Sequence, residues 1–334
     1  MIISLFGCSS KANKRYTTTY TDAFDTVTTI VAYDSSQKAF NASSELLQNE
    51  LNRYNQLFDI YSEAPGNLGT LNKTAMEAPV KVEKDVIELL KYGKEAYKES
   101  GGKLNICFGS VLELWTKARE TAVADEKKAY IPDMKELKKA SRHTNPDDLV
   151  IDEKNSTVFF KDKGLRLDVG AIAKGWTAQR LTEFISENGL WESYMLNLGG
   201  NVVTKGFKEN DGSSKWNIEI QNPNPKSSTP AGTLSLTDRS VVTSGNYQRF
   251  FVYDGKSYCH IIDTKTLMPA RYYAGVTVIC EDSALADRLT TQLFVMPIDE
   301  GKKLVESLDG VEALWINLRF GYARSSGFDA YKMQ

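Results

Sequence analysis

Alternating apolar and polar residues predict a series of short strands along this chain. Residues 24–33, FDTVTTIVAY, alternate and are rich in β-branched side chains, as is typical of a half-buried strand. Further strands are predicted at 149–151, 158–160, 165–168 and 312–316, on both sides of Gly199–Gly200, and at about six places between 216 and 279, where Pro and Gly separate them.

Apolar residues at helical spacing predict several amphipathic helices. Ser35 or Ser36 is placed to cap a first helix, whose apolar stripe runs from Phe40 to Phe58. A second helix begins at Lys84 and is stopped by Gly101–Gly102. Further helices are predicted over 110–121, between Ile172 and Gly189, and over 284–294 and 300–308, whereas 9–21 is predicted as a tether and 64–74 and 123–147 as loops.

The order of these elements predicts the fold class. Strands mostly follow strands and helices cluster, so we expect an α+β fold with largely antiparallel sheets rather than a doubly wound parallel sheet. We expect a leader remnant and tether over 1–21 and a globular domain over 22–334, with a possible sub-boundary near 123–147.

Composition and motif searches exclude several classes of protein. The 334 residues carry a formal net charge of −2, so there is no basic footprint for nucleic acid. No run of about 18 apolar residues is present that could span a membrane. The four cysteines lack the CxxC spacing of a zinc site, and neither a strand-linked GxGxxG nor a GxSxG motif occurs.

The N-terminus resembles a bacterial lipoprotein signal. An apolar run ends in Leu5–Phe6–Gly7–Cys8 and is followed directly by polar residues. In a lipobox the cysteine is lipidated, so we expect a lipid on Cys8 and an anchor on the extracytoplasmic face of the cell membrane. The basic region and longer apolar region of a signal peptide are missing, and we interpret this as truncation. The alternative is a frayed terminus with one buried cysteine.

The stretch from Gly164 to Gly206 contains the first candidate site. Asp168 closes a predicted strand, Gly170 allows a sharp turn, and Lys174 opens a helix. Backbone N–H groups at a helix start, with a nearby lysine, suit a phosphate or pyrophosphate. An aspartate that merely caps a buried strand–helix corner explains the pattern equally well, so both interpretations stay open here.

Two downstream clusters add catalytic candidates. His260, at the end of a predicted strand, could be a general base, although a histidine bonded to sheet backbone is about as common. Asp287 and Thr291 are four residues apart, so they share a helix face and offer two hard oxygens suited to Mg²⁺. An aspartate that favours the helix dipole explains that pair equally well. His143 lies in a polar loop and is predicted to be solvated.

Five motifs occur together in the order found in one protein family. They are DVGAIAKGW, NLGGN, VVTSGNYQRF, HIID followed by a proline, and ALADRLTT, with looser likeness in FDTVTTI, LFDIYSEAPGNLGTLN and GGKLNICFGSVLELW. Over roughly residues 20–317 the chain resembles the ApbE family. Its members are bacterial FAD:protein FMN transferases, also called flavin-trafficking lipoproteins.

The resemblance implies a T-fold-like α+β enzyme that uses Mg²⁺ to cleave FAD. FMN passes to a threonine of a partner protein, such as a redox subunit or extracellular flavoprotein, and AMP is released. The acceptor threonine is expected in a segment of the Asp/Ser-Gly-Ala-Ser/Thr-Thr kind, which is not evident in this chain. Two alternatives are an FAD pyrophosphatase, in which water replaces the threonine, and a non-enzymatic, lipid-anchored FAD-binding protein. A scaffold lipoprotein that binds no flavin is a further alternative.

The resemblance also assigns roles to individual residues. His260 is the best candidate for the base that activates the acceptor threonine, although a phosphate oxygen or a carboxylate could take up that proton instead. Asp287 is both catalytic and a metal ligand. The carbonyl of Ala171 and the side chain of Thr291 complete the metal site, and Thr290 stands where some relatives have an acidic ligand. Contacts to FAD are implied for Phe24, Tyr61, Lys103, Leu104, Asn105, Asp168, Lys174 and Ile261.

The sequence departs from the family pattern at three places. Asn105 replaces a frequent aspartate, which removes a possible charged contact with ribose or adenine. Phe24–Asp25–Thr26 replaces a more typical Met-Gly-Thr, and Thr264 and Leu267 alter the turn after HIID. These changes concern the lining of the pocket, and none removes a catalytic carboxylate.

Overall fold

A computed structural model describes residues 13–208 and 212–332. Cys8 and most of the predicted leader and tether lie outside the described residues.

The described residues form fifteen strands and eight α-helices. The strands are Lys14–Ala23 (β1), Thr26–Asp34 (β2), Val80–Lys81 (β3), Leu149–Asp152 (β4), Thr157–Phe160 (β5), Tyr194–Leu198 (β6), Asn201–Lys205 (β7), Trp216–Ile220 (β8), Gly232–Leu236 (β9), Arg239–Gly245 (β10), Phe250–Tyr253 (β11), Lys256–Cys259 (β12), Tyr273–Cys280 (β13), Glu312–Asn317 (β14) and Tyr322–Arg324 (β15). The helices are Gln37–Phe58 (α1), Leu68–Thr74 (α2), Lys84–Glu99 (α3), Gly109–Ala124 (α4), Met134–Ala140 (α5), Ala173–Glu187 (α6), Ser283–Phe294 (α7) and Ile298–Glu306 (α8).

The centre of the fold is an eight-stranded sheet in the order β1-β2-β6-β7-β10-β13-β14-β15. Every neighbouring pair in this sheet is antiparallel. Three smaller antiparallel sheets accompany it: β3-β5-β4, β8-β9 and β11-β12. The prediction of an α+β fold with largely antiparallel sheets is therefore confirmed.

Helices and hairpins cover the central sheet. Helices α1 and α6 bury their apolar faces against β2 and β6, in a cluster that includes Leu47, Trp176 and Leu196. Helix α7 packs on β10 and β13 in a second cluster. The β8–β9 hairpin contributes Trp216 and Ile218 to a third cluster with β10 and β14. Helix α4 packs on the β11–β12 hairpin in a fourth cluster. The boundary expected near 123–147 stays a prediction.

Helices α6 and α7 approach each other closely at Gly175. A Cβ atom at this position would lie 2.2 Å from Asp287 Cβ and 2.5 Å from the Ser283 carbonyl oxygen, so only glycine fits. The Gly175 N–H donates to Asp287 Oδ2 over 2.7 Å. The start of α6 is therefore capped by a carboxylate from α7.

Local signals placed most element ends correctly. Ser36 caps α1 by accepting from Ala39 N at 3.2 Å, as predicted. Gly101 and Gly102 follow α3 with φ of +60° and +82°, and Gly189 follows α6 with φ of +57°. These positive φ values are easily adopted by glycine, which explains why the helices end there.

Three predictions near the N-terminus were wrong in part. Residues 14–21, predicted as tether, belong to β1, because their alternating polar pattern suits an edge strand. The strand predicted from residue 24 begins at Thr26, since Phe24 and Asp25 form the hairpin turn with φ of 55° and 51°. The loop predicted over 64–74 contains α2, which Asn67 caps by accepting from Thr70 N.

Four further differences lie later in the chain. Residues 165–168 do not form a strand but only one isolated bridge, from Arg166 to Phe108. The reason is that the Asn72 side chain takes the place of a strand partner: its Oδ1 accepts from Leu167 N and its Nδ2 donates to Leu167 O. The predicted loop over 123–147 contains α5, and β15 was not predicted. His143 is not fully solvated, because its Nδ1 lies 2.8 Å from an Asp162 carboxylate oxygen.

Candidate functional site

One cavity brings the predicted site residues together. It has a volume of about 900 Å³ and lies between the β1–β2 turn, helix α4, the start of α6, helix α7 and the β11–β12 hairpin. All the predicted site residues except Thr290 line it: Phe24, Tyr61, Lys103, Leu104, Asn105, Asp168, Ala171, Lys174, His260, Ile261, Asp287 and Thr291.

One wall of the cavity presents a set of hard oxygen ligands. Asp287 is only 4% exposed, and its Oδ2 accepts from Gly175, while Oδ1 makes no hydrogen bond to the described residues. Ala171 and Thr291 line the same cavity, and a backbone carbonyl, a hydroxyl and a carboxylate suit Mg²⁺. The described residues contain no cluster of three or more His, Cys, Asp or Glu that could hold a metal. A magnesium ion here would therefore depend on substrate phosphates and water for its remaining ligands.

Thr290 does not reach the cavity. It is fully buried, donates to the Asp287 carbonyl at 2.7 Å and lies 2.8 Å from the hydroxyl of Ser244, which does line the cavity. Its hydroxyl is thus occupied in joining α7 to β10. The geometry supports a role in positioning Asp287 and gives no support to direct metal contact.

Asp168 and Lys174 flank the turn before α6. Asp168 Oδ1 accepts from Gly170 N at 2.8 Å and so fixes the turn. Burial raises the pKa of the Asp168 carboxyl, while this hydrogen bond and the charges of Arg119 and Arg249 act in the opposite direction. Asp168 therefore stabilises the turn rather than capping α6, whose N-cap is Ile172 with no side-chain cap hydrogen bond. It also lines the cavity, and phosphate binding at this turn stays a prediction.

His260 has the geometry of a neutral base. Its Nδ1 lies 3.2 Å from the Arg249 carbonyl oxygen, and because a carbonyl only accepts, Nδ1 must carry the proton. The Nε2 lone pair is then available to take a proton. Burial, followed by the charges of Arg249, Lys174 and Arg119, lowers the pKa of His260 to about 4.

The predicted FAD contacts differ in how accessible their side chains are. Tyr61 is 70% exposed and lines the cavity, so its ring is accessible for stacking. Phe24 is held in the strained hairpin turn by a 2.7 Å bond from its N–H to Asn55 Oδ1. The Asn105 amide is occupied by the backbone, because Oδ1 accepts from Cys107 N and Nδ2 donates to Thr144 O.

Several further polar side chains line the cavity and were not among the predicted site residues, and Arg119, Arg249 and Asn201 stand out among them. Arg119 follows Leu112 and Trp115 on α4 at spacings of seven and four, and all three line the cavity, so helical spacing offered a signal. Arg249 lies in VVTSGNYQRF and Asn201 in NLGGN, two motifs noted in the sequence. Asn201 is 2% exposed, and its Nδ2 has no hydrogen-bond partner in the described structure.

Comparisons with known proteins show which family the chain resembles. The model of the ApbE family matches residues 24–315. An FAD:protein FMN transferase of Treponema pallidum (strain Nichols) is 34% identical over 261 residues, 75% of this chain and 70% of the relative. One from Klebsiella pneumoniae (strain 342) is 30% identical over 267 residues, 80% of this chain and 79% of the relative. A crystal structure of the ApbE protein from Thermotoga maritima has a TM-score of 0.82 and 28% identity, with 96% of this chain and all of that chain covered.

These matches, together with the α+β fold, define the class of the protein. The chain belongs to the ApbE family, and like its named relatives it is an enzyme of the transferase class.

We expect His260 to stay neutral at every pH above about 5. The unfolded chain binds this proton near pH 6.5 and the folded chain only near pH 4, so acidification between those values should destabilise the fold. Since the chain has two histidines, a His143→Gln variant leaves one imidazole to follow by NMR. A His260 titration midpoint near 6.5 would contradict this geometry.

Proposed function

We propose that the protein is an FAD:protein FMN transferase that uses Mg²⁺ to move FMN from FAD to a threonine of an acceptor protein, with release of AMP. The observation that supports this most is the shared cavity, in which hard oxygen ligands, a lysine and a neutral histidine all face one space. The relatives named above are described by the same activity.

The residues on the metal side fit the divalent cation that such chemistry requires. The free Oδ1 of Asp287, the Thr291 hydroxyl and the Ala171 carbonyl would hold Mg²⁺. When bound, Mg²⁺ neutralises the charge on the pyrophosphate. Lys174 adds a positive charge at the same wall, beside the start of α6.

The remaining residues orient the substrate and accept a proton. Tyr61 offers a ring for the flavin or adenine, and Phe24 lines the same cavity. His260 Nε2 takes the proton of the acceptor threonine as its oxygen attacks the FMN phosphorus. The low pKa of His260 keeps this nitrogen unprotonated at neutral pH.

We expect Asp287→Asn to abolish Mg²⁺-dependent release of AMP while FAD still binds. The asparagine oxygen can still accept from Gly175 N–H, so the fold is kept and mainly the charge is lost. A fall of about 100-fold or more is expected for losing a group that stabilises transition-state charge. Exposed Asp309, outside the cavity, supplies the control Asp309→Asn, which should retain full activity.

The reaction products separate the candidate functions. The assay contains FAD, Mg²⁺ and a carrier protein fused to a Ser-Gly-Ala-Thr-Thr segment. Covalent fluorescent flavin on the carrier supports transfer, and free FMN without labelled carrier supports a pyrophosphatase. FAD binding without AMP release, unchanged by Asp287→Asn, would support a carrier protein and overturn the proposal.

We also propose that a lipid on Cys8 anchors the protein at the extracytoplasmic face of the cell membrane, close to membrane-bound acceptors. The support is the Leu-x-Gly-Cys pattern before a polar segment. Within the described residues, no helix combines the length and apolarity needed to cross a bilayer. Expressed behind a complete lipoprotein leader, the protein should sediment with membranes, and Cys8→Ser should release it to the soluble fraction. Unchanged sedimentation would refute the lipid anchor.

A further inference from the structure

Two guanidinium groups in the cavity have no assigned role. Arg119 extends from α4, and Arg249 precedes β11 at the exposed edge of the cavity. Neither side chain makes a hydrogen bond or an ion pair with the residues that the structure describes. A guanidinium that faces a cavity without a carboxylate bonded to it is a favourable site for an anionic ligand.

Helix α4 holds Arg119 in a fixed position relative to His260. Trp115, one turn before Arg119, donates from Nε1 to the Leu267 carbonyl at 2.9 Å, in the loop that follows His260. The Trp115 ring also stacks on Tyr258 of β12 with centroids 6.1 Å apart. Arg249 directly precedes β11 and His260 directly follows β12, and α4 packs on this hairpin. Arg119, Arg249 and His260 therefore all extend from one packed unit.

Positively charged side chains surround the His260 imidazole. The charged side chains with the largest effect on the pKa of His260 are Arg249 from the start of β11, Lys174 from α6 and Arg119 from α4, and all three are cations. Asp168 is the carboxylate on which both arginines act. The excess of positive charge next to a neutral base favours phosphate oxygens at this place.

We propose that Arg119 and Arg249 form an arginine clamp that binds the phosphate oxygens of FAD beside His260 and neutralises the charge that develops on departing AMP. This rests on the proposed function. The acceptor oxygen forms a bond to the FMN phosphorus, and the bond from that phosphorus to the AMP phosphate oxygen breaks. The electron pair stays on AMP, the hydroxyl proton moves to His260 Nε2, and the arginines offset the added negative charge.

The kinetic test compares Arg119→Gln and Arg119→Lys with Lys117→Gln. Lys117 lies on the exposed side of the same helix, outside the cavity, so its variant makes the same change of charge. With FAD, Mg²⁺ and the carrier protein, Arg119→Gln should lower kcat by about 100-fold or more. We expect a smaller change in the KM for FAD, partial rescue by Arg119→Lys, and no change for Lys117→Gln. An unchanged kcat in Arg119→Gln would overturn the catalytic role.

A second measurement does not depend on turnover. In the His143→Gln background, inorganic pyrophosphate is titrated while the His260 signal is followed by NMR. Arg119→Gln and Arg249→Gln should each weaken pyrophosphate binding about tenfold or more, the loss expected from one charge-assisted contact. Each should also raise the pKa of His260 from about 4 toward 6.5, whereas Lys117→Gln should change neither. Unchanged pyrophosphate affinity in both arginine variants would overturn the clamp.

The two tests separate failure of the clamp from failure of the proposed function. If the wild-type protein releases no AMP, and the arginine variants bind pyrophosphate more weakly than the wild-type protein does, the proposed function fails and anion binding by the clamp stands. If the wild-type protein labels the carrier and the arginine variants match it in both tests, the transferase stands and the clamp fails.

Discussion

The hydrogen bond from Gly175 N–H to Asp287 Oδ2 is the interaction on which the site depends. It joins residues 112 positions apart in sequence and closes the contact between α6 and α7. A second bond, from Ser283 N to Gln179 Oε1, supports the same helix pair. Because Ala171 directly precedes α6 and Lys174 lies in its first turn, this contact fixes their position relative to Asp287 and Thr291.

The carboxylate of Asp287 has two functions at this contact. Its Oδ2 caps the positive end of α6, which stabilises a buried charge that would otherwise be costly. Its Oδ1 stays available to the cavity for a cation. Thr290 holds the same segment against β10 through Ser244, so the orientation of Asp287 is fixed from both sides. The side of the cavity proposed to hold the metal is therefore preorganised by hydrogen bonds that belong to the fold.

Much of this arrangement could be predicted from the sequence. The bounds of α1, α3 and α6 follow from caps and glycines close in the chain, and the helical spacing of Asp287 and Thr291 indicated their common face. The order of five motifs led to the family and to the cavity residues.

The predictions that failed depended on contacts between distant segments. The Asn72 amide replaces a strand partner at Leu167, and burial of the Thr290 hydroxyl follows from its neighbour Ser244. Neither contact leaves a local pattern. Arg119 did follow a helical spacing, but that spacing identifies it as a site residue only once α4 is known to face the cavity.

The central claim is that the close contact of α6 and α7 assembles the two halves of the site. The most direct test is the Mg²⁺ dependence of AMP release in Gly175→Ala, measured beside Gly232→Ala. A methyl group at Gly175 would overlap Asp287 and Ser283, whereas Gly232 has open space around the same position. Overpacking of this kind costs about 1–3 kcal/mol, so the folded protein should persist with its helices forced apart. Our account predicts that Gly175→Ala loses Mg²⁺-dependent AMP release while Gly232→Ala retains it. A folded Gly175→Ala protein with unchanged Mg²⁺ dependence would contradict the account.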